Sequence, residues 1–211
     1  KGYNLSDNGI IYADRGRMVV EDSSFSNITT ADSFLCGAVF TARASSLSVS
    51  NSNFSNNSSN YGTAFYATDS SSLTLDDITI SNCFASQHGG GIYVQDSSLS
   101  ITNSDFSDNG YGSSITVYGG AIYASASTLT VKDSSFYGNQ AANRGAIYAA
   151  ENSSLAIEDC VLGETTDRIF LSGSQLQLSG TNYFSSDIIA DNGATITVIN
   201  GTVGFLPHHQ D

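Results

Sequence analysis

The sequence is poor in charge, above all positive charge. Only 13% of its 211 residues are Asp, Glu, Lys or Arg, about half the usual share. Seven Lys plus Arg against twenty Asp plus Glu leave a net charge of −13. A polyanion repels nucleic acid and anionic lipid, so neither is expected as a partner. No apolar run reaches the ~18 residues a membrane span needs, so no direct membrane insertion by this segment is expected. Proline appears once and tryptophan never. Cys36, Cys83 and Cys160 are too few and too irregular for a disulfide scaffold, and they fall at unrelated places in the pattern described below. They read as free thiols acting as small residues. No window shows a sustained helical period, which excludes a helical bundle.

What is present is repetition. The phrase GGAIYA (119–124) returns as RGAIYA (144–149), GGIYV (90–94) and CGAVF (36–40). With its aromatic as marker, the series is Tyr12, Phe40, Tyr66, Tyr93, Tyr123 and Tyr148, continued weakly by Leu171 and Ala190. Spacings of 28, 26, 27, 30, 25, 23 and 19 residues are those of a solenoid. The residue before the marker is apolar: Ile11, Val39, Phe65, Ile92, Ile122, Ile147, Phe170 and Ile189. A polar turn follows, then an alternating pair, from Leu47/Val49 to Ile196/Val198. Five residues on stands an apolar anchor: Phe25, Phe54, Ile80, Phe106, Phe136, Leu162, Tyr183 or Val203. Each segment alternates with period two, so each is a short strand. Three strands per turn of roughly 25 residues predict an all-β parallel β-helix of about eight turns. Ile122 should stack on Ile92 and Ile147.

Two columns specify corners. Two residues after each alternating pair stand Asp22, Asn51, Asp77, Asn103, Asp133, Asp159, Gly180 and Asn200. Asp, Asn and Gly best tolerate positive φ, so a bend is expected at each. A calcium ladder is the alternative, but the column lacks the glycine-aspartate repeat of calcium-bound β-rolls. Past the anchors, Asn27, Asn56 and Asn82 stand at one position and Asn57, Asn109 and Asn139 at the next. Turn chemistry and a stacked amide ladder account for both.

The GGAI motif (119–122), with CGAV, GGGI and RGAI variants, alternates in register with FSNN (54–57), FSDN (106–109) and FYGN (136–139). This alternation, over about residues 9–165, resembles the repeats of the chlamydial polymorphic membrane proteins. The resemblance implies a right-handed parallel β-helix displayed at a cell surface, often adhesive. It places the chain outside the cell. Seven N-x-S/T sequons, at Asn4, Asn27, Asn53, Asn56, Asn57, Asn152 and Asn200, are compatible with secretion and are candidate glycosylation sites.

Parallel β-helices also carry polysaccharide lyases and glycoside hydrolases, so a carbohydrate-active enzyme is the alternative. Such enzymes need converging carboxylates, or calcium with a basic residue. Arg15 and Arg43 share a turn column with Asp69, Asp96 and Glu151, which reads as a solvated corner. Arg144 and Asp167 should form a surface ion pair across adjacent turns. His88 sits in a turn, and His208 and His209 in the tail, with no ligand partner at metal spacing. No catalytic residue, metal ligand or cofactor is expected. The chain reads as one domain, 1–211, opening mid-repeat as a fragment of a longer repeat protein would, with degenerate turns and a cap over 166–211. If the isoleucine of GAIY faces the core, the next residue faces out. Tyr12, Phe40, Tyr66, Tyr93, Tyr123 and Tyr148 then form an outer aromatic stripe, the candidate contact surface for other copies, surface proteins or glycans.

Overall fold

The computed structural model describes residues 9–30, 37–110, 118–141, 145–164 and 166–206. Every strand pairing among them is parallel. The GAIY segments stack as one eight-stranded sheet: Ile11–Asp14, Phe40–Arg43, Phe65–Thr68, Ile92–Gln95, Ile122–Ser125, Ile147–Ala150, Ile169–Ser172 and Ile188–Asp191. We number the rungs 1 to 8 by these strands. Six rungs lie between two neighbours and two are terminal. The second and third segments of each rung form a second, larger parallel sheet. Ile122 pairs with Ile92 and Ile147 as the repeat requires.

Three markers sit one residue away from their expected places. Phe40 pairs with Ile11 and Phe65, so it belongs to the isoleucine column, and Thr41 faces Tyr12 and Tyr66. Phe40 is 1% exposed and packs on Phe65 at 5.5 Å; it is core, not stripe. Likewise Ile169 and Ile188 face inward, and Phe170 and Ile189 take the stripe positions assigned to Leu171 and Ala190. The late anchors are Phe184 and Phe205 rather than Tyr183 and Val203. The third-segment column therefore runs Phe25, Phe54, Ile80, Phe106, Phe136, Leu162, Phe184, Phe205. Arg43, moved with its strand, aligns with Asp14 and reaches Asp69 of the next rung at 3.6 Å.

All eight corner residues have positive φ, from 46° at Asn51 to 65° at Gly180. Asn27, Asn56 and Asn82 do the same at the second corner, at 50–57°. The residues after them form a buried ladder. Asn57 accepts from the Ile28 N–H (3.0 Å) and donates to the Phe25 carbonyl (3.0 Å). Its amide is wholly buried and used on both sides, which corrects its reading as a glycosylation site. Asn27, Asn53, Asn56, Asn152 and Asn200 are exposed; Asn4 lies outside the described residues. Two rungs on, Asn109 accepts from the Cys83 N–H and donates to the Ile80 carbonyl and to Asn139.

Asp167 ends this ladder. Its Oδ1 accepts from the Asn139 N–H (2.8 Å) and side-chain amide (3.2 Å), and its Oδ2 from the Gly138 (2.9 Å) and Glu164 (3.1 Å) N–H groups. It is 1% exposed, so it is no surface ion-pair partner. Arg144, its expected mate, lies outside the described residues. Burial pushes the Asp167 carboxyl up from 3.8 to about 6, against the pull of those four donors. The folded state thus holds this proton more tightly than the unfolded chain. Its stabilising effect is complete below pH ~4 and disappears as pH rises through ~6, a swing on the order of 3 kcal/mol. Urea midpoints at pH 4.5 and 7 should show the wild type losing stability over this window relative to Asp167→Asn. Parallel pH curves for the two proteins would refute the assignment.

Two serine files tie the rungs together; the second, Ser52, Ser104 and Ser134 with Ser23, is a column visible in the sequence, though not its bonding role. At the first turn Oγ of Ser45, Ser71, Ser97, Ser127, Ser153 and Ser174 each accepts an N–H from the rung before, at 3.1–3.2 Å. Ser52, Ser104 and Ser134 do likewise at the other corner. Each hydroxyl thereby satisfies a backbone donor, and on the inner rungs these bonds are buried. Cys83 and Cys160 are free, buried and held as thiols, their pKa pushed up to about 11 by burial. Cys36 lies outside the described residues.

Candidate functional site: a double file of rings

The stripe is real but largely covered. Tyr66, Tyr93, Tyr123, Tyr148 and Phe170 stack face to face up the outer side of the first sheet. Their centroids are separated by 4.9, 5.0, 5.5 and 5.4 Å, with interplanar angles of 9–19°. The parallel register imposes this, because identical columns repeat at the strand spacing of about 4.8 Å. Tyr66, Tyr93, Tyr148 and Phe170 are only 6–9% exposed, while Tyr12 at the N-terminal end is 39% exposed.

A second file covers the first. Tyr61 packs edge-on to Tyr66 and Tyr93 at 6.3 and 5.3 Å. His88 stacks on Tyr123 at 4.8 Å, and Tyr118 on Tyr148 at 4.9 Å. These rings precede Gly62, Gly89 and Gly119, which have positive φ. A two-stranded sheet, Ser58–Tyr61 with Phe84–His88, and a bridge from His88 to Tyr118 hold the second file in line. The sequence did carry a signal: a ring immediately before each of these glycines.

Burial is the leading cause of every shift here. It pushes the Tyr123 phenol up to about 12 and raises that of Tyr93 further, with neighbouring rings and Glu151 adding in the same direction. It lowers the His88 pKa below 6.5. Burial thus favours the uncharged forms of Tyr93, Tyr123 and His88. Tyr93 donates to Gln95 Oε1 at 2.8 Å, and Ser125, beside Tyr123, donates to Glu151 across one rung at 2.5 Å. The ring faces are largely consumed by stacking; Tyr61, His88, Tyr118 and Tyr123 remain partly exposed.

Among the described residues no three His, Cys, Asp or Glu side chains are placed to hold a metal ion. No described helix is long and apolar enough to cross a membrane. The basic groups are dispersed: Arg43 pairs with Asp69, and Lys132 with Glu158 at 2.9 Å. His208 and His209 lie outside the described residues.

A family model described as the right-handed β-helix region matches residues 1–142 and 37–206. The chain belongs to the right-handed β-helix family. No curated protein and no solved structure is matched. As a right-handed β-helix, the protein presents long flat flanks whose outward columns repeat once per rung. In this family member one flank carries the aromatic double file, and the outward columns of the second sheet are mostly Ser and Thr, as in Ser48, Thr74, Ser100 and Thr130.

Proposed function

We infer that the protein is a non-enzymatic structural or adhesive component of an extracellular surface. In this reading it engages glycans or other surface proteins through the lateral face of its first sheet. The aromatic double file is the observation that carries it. Stacked rings stabilise the rungs by about 0.5–1.5 kcal/mol per pair beyond area burial, which makes a stiff rod. The partly exposed rings Tyr61, His88, Tyr118 and Tyr123 lie along this face, and such amphipathic groups suit repeated weak contacts. The alternation of GGAI-type and F-x-x-N phrases supports the surface setting through its resemblance to the polymorphic membrane proteins. The exposed sequons agree with it.

The test replaces Tyr66, Tyr93 and Tyr123 with Ser and measures melting temperature together with binding to cells and to a glycan array. Stacking over three rungs is lost, so melting should fall. Binding should fall at a temperature where the variant is still folded. Lower stability with binding intact would leave the stripe a purely structural role. Release of oligosaccharides from plant or bacterial polysaccharides by the wild type would overturn the non-enzymatic reading.

A further inference from the structure

The second file reads Tyr61, His88, Tyr118, so one imidazole stands between two phenols. The His88 ring stacks on Tyr123 at 4.8 Å, tilts against Tyr118 at 5.0 Å and meets Tyr61 edge-on at 5.8 Å. Rungs continue on both sides of it. One of its atoms is out of keeping with the rest of the fold. His88 Nδ1 is buried and has no hydrogen-bond partner among the described residues. Buried polar atoms are nearly always satisfied, so an exception asks for a cause.

A neutral imidazole carries its proton on one nitrogen, and the other is a bare acceptor. With that proton on Nε2, a bare Nδ1 can sit in the file. An imidazolium donates from both nitrogens. Charging His88 therefore puts an N–H at the buried atom where nothing accepts it. The groups facing the ring are phenols: Tyr61 from Ser58–Tyr61, Tyr118 from the bridge and Tyr123 from Ile122–Ser125. Phenols offer a cation no counter-charge in the acid range. Glu151 acts on Tyr93 and Tyr123 rather than on His88. Burial is the largest influence on the imidazole and holds its pKa below 6.5, against a smaller pull from the Gln87 carbonyl. Attraction to the Tyr123 face favours a cation but does not supply the missing acceptor.

We propose that His88 is an acid-operated latch on the cover of the tyrosine file: when protonated, its ring leaves the file for water, uncovering Tyr123 and loosening Phe84–His88 from Ser58–Tyr61. The strand that His88 ends can give way alone. Phe84–His88 pairs with one strand only, and Phe84, Ser86 and Gln87 are exposed. The main sheets keep their own ladders, so the opening is local. Its sign follows from linkage. The open ring takes a proton at the ordinary value and the closed ring at a lower one. The closed cover is therefore fully stabilised above pH ~6.5 and loses stability as pH falls towards the lowered value. The latch sets when Tyr123 is accessible, whatever partner this face engages.

Proton NMR of the wild type tests this without any substitution, since His88 shares the imidazole region with His208 and His209 alone. The His88 ring should titrate below 6.5, and the ring signals of Tyr61, Tyr118 and Tyr123 should shift at the same pH. Hydrogen exchange over 84–88, corrected for its intrinsic rate, should quicken by about tenfold per pH unit below 6.5 until the lowered value is reached. Exchange over 92–95 and 98–102 should stay slow. His88→Phe keeps a ring but has no proton to gain, so its 84–88 exchange should not respond to pH. Asp167→Asn removes the other group that titrates in this range and should leave the response intact. A His88 ring that titrates at or above 6.5, wild-type exchange over 84–88 that is flat through the acid range, or the same response in His88→Phe would overturn the proposal.

Discussion

Replacing Asn109 by alanine is expected to remove about 4 kcal/mol of stability, a large part of what holds a domain of this size. Asn109 is fully buried and its side chain serves three partners. Its Oδ1 accepts the Cys83 N–H at 3.0 Å, and its Nδ2 donates to the Ile80 carbonyl at 2.8 Å and to Asn139 Oδ1 at 2.9 Å. Alanine leaves the Cys83 N–H and the Ile80 carbonyl without these bonds inside the wall, where each orphaned group costs about 1–3 kcal/mol. It also leaves a small void. Asn139 Oδ1 keeps one bond, from the Asn109 backbone N–H at 3.3 Å, and its side-chain amide keeps the Phe106 carbonyl and Asp167, so the loss spreads no further up the ladder. Asn103, six residues earlier, is the control. It is an exposed corner residue with φ of 49°, so Asn103→Gly keeps the bend and should change stability by only a few tenths of a kcal/mol. Urea denaturation of both variants checks the contrast. Equal midpoints would mean that the buried amide is no more than turn chemistry.

That contrast marks what the sequence could and could not tell. Asn103 and Asn109 were separable because each column has its own pattern: Asp, Asn or Gly at every corner, and Asn recurring three past the anchor at Asn57, Asn109 and Asn139, with Ile28 and Cys83 in the same place on other rungs. The strand register was harder. Alternation identifies a face only where one side is wet, and the first sheet is covered on both. Ile169, Phe170 and Leu171 are all under 9% exposed, so no period of two survives there and the marker slid by one. Phe40 misled for the same reason, as an aromatic in the GAIY frame that turned out to fill the isoleucine column. The first serine file, and the bonding role of both, were not legible because serine also fills exposed positions in nearly every turn. Asp167 was misplaced because rung 6 lacks the F-x-x-N phrase. A carboxylate from the next turn fills the amide slot there, which no spacing rule anticipates. For the candidate site, the first file was legible as a repeated aromatic, but its cover was not. Tyr61, His88 and Tyr118 lie at different distances from their anchors, and only their common position before a glycine unites them.

The glycines of the repeat phrase carry the second large effect. Gly90→Ala should destabilise the protein by about 4 kcal/mol or more, the range reserved for changes that force backbone apart. A Cβ at Gly90 would lie 2.0 Å from the Gly120 carbonyl oxygen and 2.5 Å from the Gly110 Cα. Those atoms are backbone and cannot swing away as a side-chain tip would. They are also fixed by hydrogen bonds: Gly90 N–H to the Gly119 carbonyl at 3.0 Å, Gly110 N–H to the Cys83 carbonyl at 2.8 Å, and Gly120 N–H to the Gly145 carbonyl at 2.9 Å. Relieving the clash means lengthening one of these, and with it the spacing between rungs 4 and 5, where the Tyr93–Tyr123 stack also sits. The phrase GGA is therefore a packing rule as much as a turn signal, since the second glycine lets a corner approach the next rung's backbone. Two substitutions calibrate the effect. Gly193 has φ of 80° and open space around it, so Gly193→Ala should cost only the left-handed strain of about 1–2 kcal/mol. Gly16 meets nothing closer than 3.8 Å, so Gly16→Ala should be close to neutral. Denaturation midpoints ranked Gly16→Ala, Gly193→Ala, then Gly90→Ala far below would establish the close approach. A Gly90→Ala protein as stable as Gly16→Ala would show that the rungs can part there at no cost.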